Sequence, residues 1–171
     1  KKLSAVNYSD STTIRSIKNS FLAKGSFESS QLKNLKIQDS NMKQVNLKKC
    51  NLQNSTMDHT NFESSDFTWS NLRNNCFETI NLKSSNLQFV DLSGSSVKDS
   101  CLVGCDLRWS ILTKISFKNC DLSKANLAGA NLKNSTFTNC KLKGTSFDMN
   151  TILPFSRDYA ISQGMNFTGV Q

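Results

Sequence analysis

Bulky apolar side chains recur at every fifth position between Leu22 and Ile152, in one phase with no insertion or deletion. A period of five fits neither an α-helix, which repeats about every 3.6 residues, nor a β-strand, which repeats every second residue. It predicts a solenoid, in which each short repeat buries little surface alone and stacks on its neighbours. The 27 positions are Leu22, Phe27, Leu32, Ile37, Met42, Leu47, Leu52, Met57, Phe62, Phe67, Leu72, Phe77, Leu82, Leu87, Leu92, Val97, Leu102, Leu107, Leu112, Phe117, Leu122, Leu127, Leu132, Phe137, Leu142, Phe147 and Ile152.

The other positions of each repeat follow the same rhythm. The residue two before the bulky one is usually small, as at Ser55 and Ala130, and Asn or Asp often comes next, as at Asn51. A narrow core needs the small residue, because two large side chains per layer would exceed normal packing density. Asn or Asp suits a turn, since its side chain can bond nearby backbone groups. Large residues at the small position, where we expect bulges or repacked corners, are Leu35, Val45, Ile80, Val90 and Ile115.

This arrangement resembles the pentapeptide-repeat family, whose consensus is Ala-(Asp/Asn)-Leu-x-x. The stretches nearest to the consensus are residues 125–129, Ala-Asn-Leu-Ala-Gly, and residues 130–134, Ala-Asn-Leu-Lys-Asn. The resemblance implies an all-β fold, a right-handed quadrilateral parallel β-helix with four pentapeptides per coil. In that fold the bulky and small residues point inward and the other three face solvent, so the 27 repeats would form just under seven coils.

The segment before the repeats predicts a helical cap. Within residues 9–20 a polar start is followed by Ile14, Ile17 and then Phe21 at helical spacing. We expect a short helix there, because the open end of a solenoid exposes core and unpaired backbone.

The segment after the repeats predicts a second cap. Pro154 interrupts the pattern, Ser156 can cap a helix over residues 157–163, and Gly164 can end it. Phe167 then resumes the five-residue phase, so we expect a longer protein to continue beyond the chain, as the missing initial Met also suggests. The predicted segments are a cap with a short helix (1–19), a β-helix (20–154), and a short helix with one resumed repeat (155–171).

Composition excludes several classes of protein. The hydrophobic fraction of 37% is low, but a disordered chain has no reason to keep a strict period. No apolar run is long enough for a membrane span, and the Lys1-Lys2-Leu3 start does not open a signal peptide. The net charge of +8 is compatible with acidic partners, although such a charge most often serves solubility.

The cysteines and the histidine point to no catalytic or metal site. Cys76 and Cys101 take the Asn/Asp position, and no cysteine pair has CxxC spacing. Cys120 and Cys140 are twenty residues apart and could be close enough for a bridge, but inward stacking favours free thiols. A filled tube with one outward His59 offers no cleft, so we expect no enzyme activity, no metal and no cofactor. The cysteines at the small inward position are Cys50, Cys105, Cys120 and Cys140.

One feature does not follow from the scaffold. Trp69, Phe89 and Trp109 each lie two residues after a bulky position and are spaced by twenty, so they should face solvent in successive coils. An exposed apolar row is a candidate binding surface, whereas stacking across strands would make it structural. The predicted partner-binding residues are Trp69, Phe89, Trp109, Arg108, Lys48, Lys49 and Ile111.

The leading hypothesis is a non-catalytic scaffold that binds another protein. The family resemblance extends it to the recognition or targeting domain of a bacterial secreted effector, either in the bacterial cytoplasm or secreted into a host cell. A solenoid end could also form a homodimer.

Two alternatives to protein binding are weaker. DNA mimicry for topoisomerase protection, known in the family, needs a long negative surface, whereas residues 20–154 carry 16 basic and 11 acidic side chains. Nucleic-acid binding through the aromatic and basic face is not expected, because rings about 4.8 Å apart leave no gap for bases.

Overall fold

Short strands that lie twenty residues apart in sequence pair side by side along one face of the molecule. The computed structural model describes residues 6–169. Its first seven strands form one parallel sheet in chain order, and the last two form a second parallel pair. The strands are β1 (Ser16–Lys18), β2 (Lys36–Gln38), β3 (Thr56–Asp58), β4 (Cys76–Glu78), β5 (Ser96–Lys98), β6 (Ser116–Lys118), β7 (Thr136–Thr138), β8 (Ser146–Phe147) and β9 (Asn166–Phe167).

The other three faces repeat the same register with isolated bridges. Asn41 pairs with Asn61, twenty residues on, and Asn46 pairs with Asp66. Between coils the backbone N–H of Leu47 donates to the carbonyl of Asp66 at 2.7 Å. Hydrogen bonds of this kind to the next coil satisfy the backbone polar groups. Four repeats therefore complete one coil, and the chain forms the expected right-handed quadrilateral parallel β-helix.

The corners of the coil have a fixed backbone conformation. The second residue after each bulky position has a positive φ at every repeat from Asn19 to Gly144. The predicted role of the Asn/Asp position in these turns is confirmed: Oδ1 of Asn41, for example, accepts a bond from the N–H of Lys43 at 3.1 Å. The turn geometry thus fixes which residues of the sequence protrude at a corner.

The bulky residues fill the core. All of the series from Leu22 to Phe147 are buried except Phe137, which is half-buried in the last coil of the long sheet. The bulges and repacked corners that we expected at the large residues of the small position are wrong. Val45, for example, is fully buried in an unbroken register, because its column neighbours Gly25 and Ser65 leave room for it. Leu35, Ile80, Val90 and Ile115 are likewise buried.

The helix predicted in residues 9–20 is wrong. Ile17 instead continues the five-residue series backwards as the centre of β1, where it is buried and pairs with Ile37. Before it, the ring of Tyr8 stacks on Phe27 with centroids 5.0 Å apart. Pairing with the next coil satisfies this backbone, so a strand forms where apolar spacing alone suggested a helix. Residues 1–5, including the Lys1-Lys2-Leu3 start, lie outside the described residues.

The last inward position predicted from the sequence, Ile152, is also wrong. Its side chain is 49% exposed, and its backbone pairs with Asn131, which is 21 residues earlier instead of twenty. One extra residue after Phe147 shifts the register. Thr151 therefore takes the small inward place, and Leu153 packs against the core in place of Ile152.

The predicted C-terminal helix is confirmed as α1 (Arg157–Ser162). The hydroxyl of Ser156 accepts a bond from the N–H of Tyr159, and Gly164 ends the helix with a φ of 81°. β9 then pairs with β8, so Phe167 resumes the repeat as expected. Within residues 6–169, no helix has the length and apolar character that crossing a membrane would require.

Candidate functional site

Three aromatic side chains form a ridge along one corner of the β-helix. Trp69, Phe89 and Trp109 occupy the same place in three successive coils, and we call them the aromatic ridge. Their side chains are 60%, 37% and 50% exposed, respectively. They protrude into solvent, as the repeat register predicted, although their role in binding stays a prediction.

The backbone holds the ridge residues in an uncommon conformation. Trp69, Phe89 and Trp109 have φ values of 64°, 58° and 58°, in the left-handed region that bulky side chains seldom adopt. The surrounding coils impose this geometry, since the N–H of Trp109 donates to the carbonyl of Ala128 at 3.0 Å. At roughly 1–2 kcal/mol per residue, the left-handed conformation disfavours large side chains here. The stacking energy of the rings would have to offset this conformational penalty at all three positions.

The ring contacts divide the ridge into two parts. Trp69 and Phe89 stack with centroids 4.3 Å apart and planes only 4° from parallel. The indole of Trp109 lies over Gly129 in the next coil, where an added Cβ would come within 2.5 Å of the ring. Half of that indole remains open to solvent.

Further apolar side chains continue the surface past Trp109. Ile111, named from the sequence, is exposed, and it pairs through its backbone with Asn131. Asn131 pairs in turn with Ile152, so the two isoleucines lie in one column two coils apart. Met149, also exposed, follows in the same last coil. The sequence did not reveal Ile152 as a surface residue, because the adjacent residues Ile152 and Leu153 are both candidates for the inward position.

The basic residues named with the ridge are mostly paired with acids. The guanidinium of Arg108 donates hydrogen bonds to both carboxylate oxygens of Asp106, from Nε to Oδ1 at 2.9 Å and from Nη2 to Oδ2 at 2.7 Å. These bonds raise the pKa of the Arg108 guanidinium. Lys48 lies 3.2 Å from Asp66. Lys49 is exposed one coil before Trp69. Two of the three basic side chains named with the ridge are therefore neutralised by acids.

The one histidine of the chain lies beside an acid. The imidazole Nδ1 of His59 lies 2.6 Å from Oδ1 of its neighbour Asp58, on an open face. Across residues 6–169, no three His, Cys, Asp or Glu side chains are grouped so that they could hold a metal ion. Burial raises the pKa of Cys50 and of Cys105 to about 12, so these two thiols stay protonated.

A filled quadrilateral coil with a turn at each corner defines this molecule as a repeat solenoid. Its sequence is similar to the pentapeptide-repeat family, whose sequence model, described as pentapeptide repeats, matches in eight copies over residues 40–78 and 100–139. A search of curated proteins finds no match to the sequence.

Solved structures of pentapeptide repeat proteins are similar to this chain. The crystal structure of alr5209, a pentapeptide repeat protein from Nostoc PCC 7120, has 28% identity and a TM-score of 0.50, over 63% of this chain and 84% of that chain. HetL from Nostoc sp. PCC 7120, involved in heterocyst differentiation regulation, has 17% identity and a TM-score of 0.37, over 86% and 72% of the two chains. QnrB1, a plasmid-mediated fluoroquinolone resistance protein, has 12% identity and a TM-score of 0.42, over 98% and 92%.

Proposed function

We propose that this protein is a non-catalytic scaffold that binds another protein through the aromatic ridge. The observation that carries the proposal is the exposure of both tryptophans of the chain, Trp69 and Trp109, on one corner. Tryptophan is the residue most enriched at the energetic centres of protein interfaces, and contiguous exposed apolar surface marks interaction sites.

The shape and charge of the ridge define the partner. A ridge on a corner is convex, so the partner must supply a groove. Because Arg108 and Lys48 are held by Asp106 and Asp66, the groove needs little charge of its own. We therefore expect an apolar groove on a folded protein, bound with an affinity that depends weakly on salt.

Stacking within the ridge is the main structural alternative. It accounts for Trp69 and Phe89, whose rings cover each other. It does not account for Trp109, which rests on a glycine with half of its surface exposed. A ring that gains no aromatic partner in the coil above it supports a role in binding.

The spacing of the rings argues against nucleic-acid binding, and the charges argue against DNA mimicry. The 4.3 Å stack of Trp69 on Phe89 leaves no gap for a base. The acids near the ridge are also neutralised, as in the pair of Asp91 and Arg73 at 3.5 Å, which argues against the negative stripe that DNA mimicry needs. The net charge of +8 likewise argues against DNA mimicry.

Two parts of the hypothesis stay predictions. One is the setting, as the recognition or targeting domain of a bacterial secreted effector. The other is a homodimer formed through a solenoid end. A second copy of this chain is accordingly one of the outcomes that the binding experiment must separate, by measuring molecular mass in solution.

The test is selection of ligands from a display library of small folded domains, followed by affinity measurements with variants. The double substitution Trp69→Asn and Trp109→Asn removes both indoles, and asparagine tolerates the left-handed backbone conformation of the corner. The matched control is Gln44→Asn with Lys124→Asn, at two exposed left-handed positions on another corner. We expect selected ligands to lose binding to the first variant and to keep it with the second. Ligands that bind both variants equally would refute the proposal.

A further inference from the structure

Two cysteines lie one above the other in adjacent coils at the C-terminal end of the long sheet. Cys120 and Cys140 each follow a strand by two residues, and the N–H of Lys141 donates to the carbonyl of Cys120 at 2.9 Å. Adjacent strands are about 4.8 Å apart, within the Cα separation of about 4.4–6.8 Å that a disulfide requires. Both thiols are free in this structure.

Apart from Ile80, the other residues of their column, from Ser20 to Ser100, carry hydroxyl groups. Ser40 and Ser100 donate to the carbonyls two residues before them, at 2.7 and 2.6 Å. The Cys120 and Cys140 thiols face the corresponding carbonyls at 3.3 and 3.5 Å. A thiol can thus stand in for a hydroxyl here, but the hydroxyl role does not call for two cysteines in contact, nor for one of them to be accessible.

Cys140 is accessible because the sheet ends with its coil. The next coil on this face is replaced by α1, and a cavity of about 250 Å³ remains between the helix and the last coil. Cys140, Phe137, Phe155 and Tyr159 are among its lining residues. Cys120 is buried one coil below. One thiol therefore opens to a small-molecule-sized space, with a second thiol directly behind it.

We propose that Cys140 and Cys120 form a thiol–disulfide exchange site, at which a low-molecular-weight disulfide entering the cavity under α1 oxidises the pair to an intramolecular disulfide. The site lies on a different face from the aromatic ridge, and it does not depend on the proposed binding function.

The exchange proceeds in two balanced steps. The Cys140 thiolate attacks one sulfur of the small disulfide RSSR, which forms a mixed disulfide and releases RS⁻. Cys120 then loses its proton and attacks Sγ of Cys140, which releases a second RS⁻ and leaves the protein disulfide. Two protein thiols are oxidised, and one RSSR is reduced to two RSH.

The electrostatics of the pair assign these roles. A hydrogen bond from the Cys120 thiol lowers the pKa of Cys140 to about 7, whereas the same bond and burial raise the pKa of Cys120. The other ionisable side chain lining the cavity is Tyr159. The nearest charged side chain along the chain, Lys141, is directed to Asp121 at 3.8 Å on the outer surface. The accessible thiol is therefore also the more nucleophilic one.

The test uses the full chain with its two outward thiols removed by Cys76→Ser and Cys101→Asn. The folded protein is treated with 4,4′-dithiodipyridine, a small neutral disulfide that releases one ultraviolet-absorbing thiopyridone for each thiol it consumes. We expect rapid release of two equivalents and a chain two hydrogens lighter, without an adduct. Adding Cys120→Ser should give one equivalent and a stable pyridyl adduct on Cys140, while Cys140→Ser should abolish the rapid phase.

Two results would overturn the proposal. One is a lasting adduct on Cys140 while Cys120 is present, because Cys120 would then not resolve it. The other is a Cys140 that reacts no faster than the buried Cys50 and Cys105 of the same chain. The parent variant alone decides between these results by mass spectrometry, so a failure of either further variant to fold leaves the test intact.

Discussion

The indole of Trp109 lies so close to Gly129 in the next coil that a Cβ on the glycine would come within 2.5 Å of two ring atoms. Gly129 also has a φ of 70°, a conformation that glycine adopts without cost. Gly129 thus allows the corner turn and also supports the indole at the Trp109 end of the ridge. This contact makes the position of Trp109 testable without touching the tryptophan.

Substituting Gly129 by alanine should displace the indole and destabilise the coil. Gly104→Ala is the matched control, because Gly104 has a φ of 65° but its nearest neighbour to an added Cβ is 3.8 Å away. We expect Gly104→Ala to cost the left-handed penalty of roughly 1–2 kcal/mol. Gly129→Ala should cost more and should also shift tryptophan emission, as urea unfolding and fluorescence spectra would measure. Equal costs and unchanged emission would place the indole elsewhere.

The register shift in the last coil predicts an unusual tolerance at Ile152. Ile152→Asn should change the free energy of unfolding by no more than about 0.5 kcal/mol, because the side chain is exposed. By contrast, Leu132→Ala, one coil earlier and fully buried, should cost about 2–5 kcal/mol. Denaturant unfolding of the two variants compares them directly. If Ile152→Asn lowered the free energy of unfolding as much as Leu132→Ala does, Ile152 would be a core residue and the register would not be shifted.

The exchange site predicts a characteristic dependence on pH. The thiolate is the reactive form, so the rate of the first step at Cys140 should rise as pH passes through its pKa of about 7. Cys50 and Cys105, with pKa values of about 12, should stay unreactive over that range until the protein unfolds. Stopped-flow release of thiopyridone between pH 5 and 9 measures both. A rate that keeps rising up to about pH 8.5, as for an ordinary thiol, without levelling off above pH 7, would show that Cys120 does not assist Cys140.

Much of this architecture could be predicted because the period is strict. Once Leu22 sets the phase, blocks of twenty residues define columns, and the alignment of Trp69 with Trp109 follows without any knowledge of tertiary contacts. The helix over residues 157–163 could be predicted equally well, since Pro154 ends the repeat pattern and Ser156 is a typical helix N-cap.

The sequence-based predictions were wrong where the five-residue period is irregular or where the structure depends on how one coil stacks on the next. In residues 9–20 the apolar spacing suits a helix, but pairing of Ile17 with Ile37 across coils decides for a strand. At Ile152 one extra residue shifts the register, and nothing local distinguishes it from Leu153. The direction in which the indole of Trp109 leans, onto Gly129, depends on side-chain packing that a periodic pattern does not encode.

The most direct test of the central claim uses the two tryptophans of the chain as reporters. Trp69 and Trp109 are its only tryptophans, so the fluorescence of a complex with a tryptophan-free ligand reports on the aromatic ridge alone. We predict that binding shifts the emission to shorter wavelength and reduces acrylamide quenching, and that the affinity changes little when salt is raised. A ligand that binds with full affinity while both tryptophans remain as quenchable as in the free protein would contradict the account.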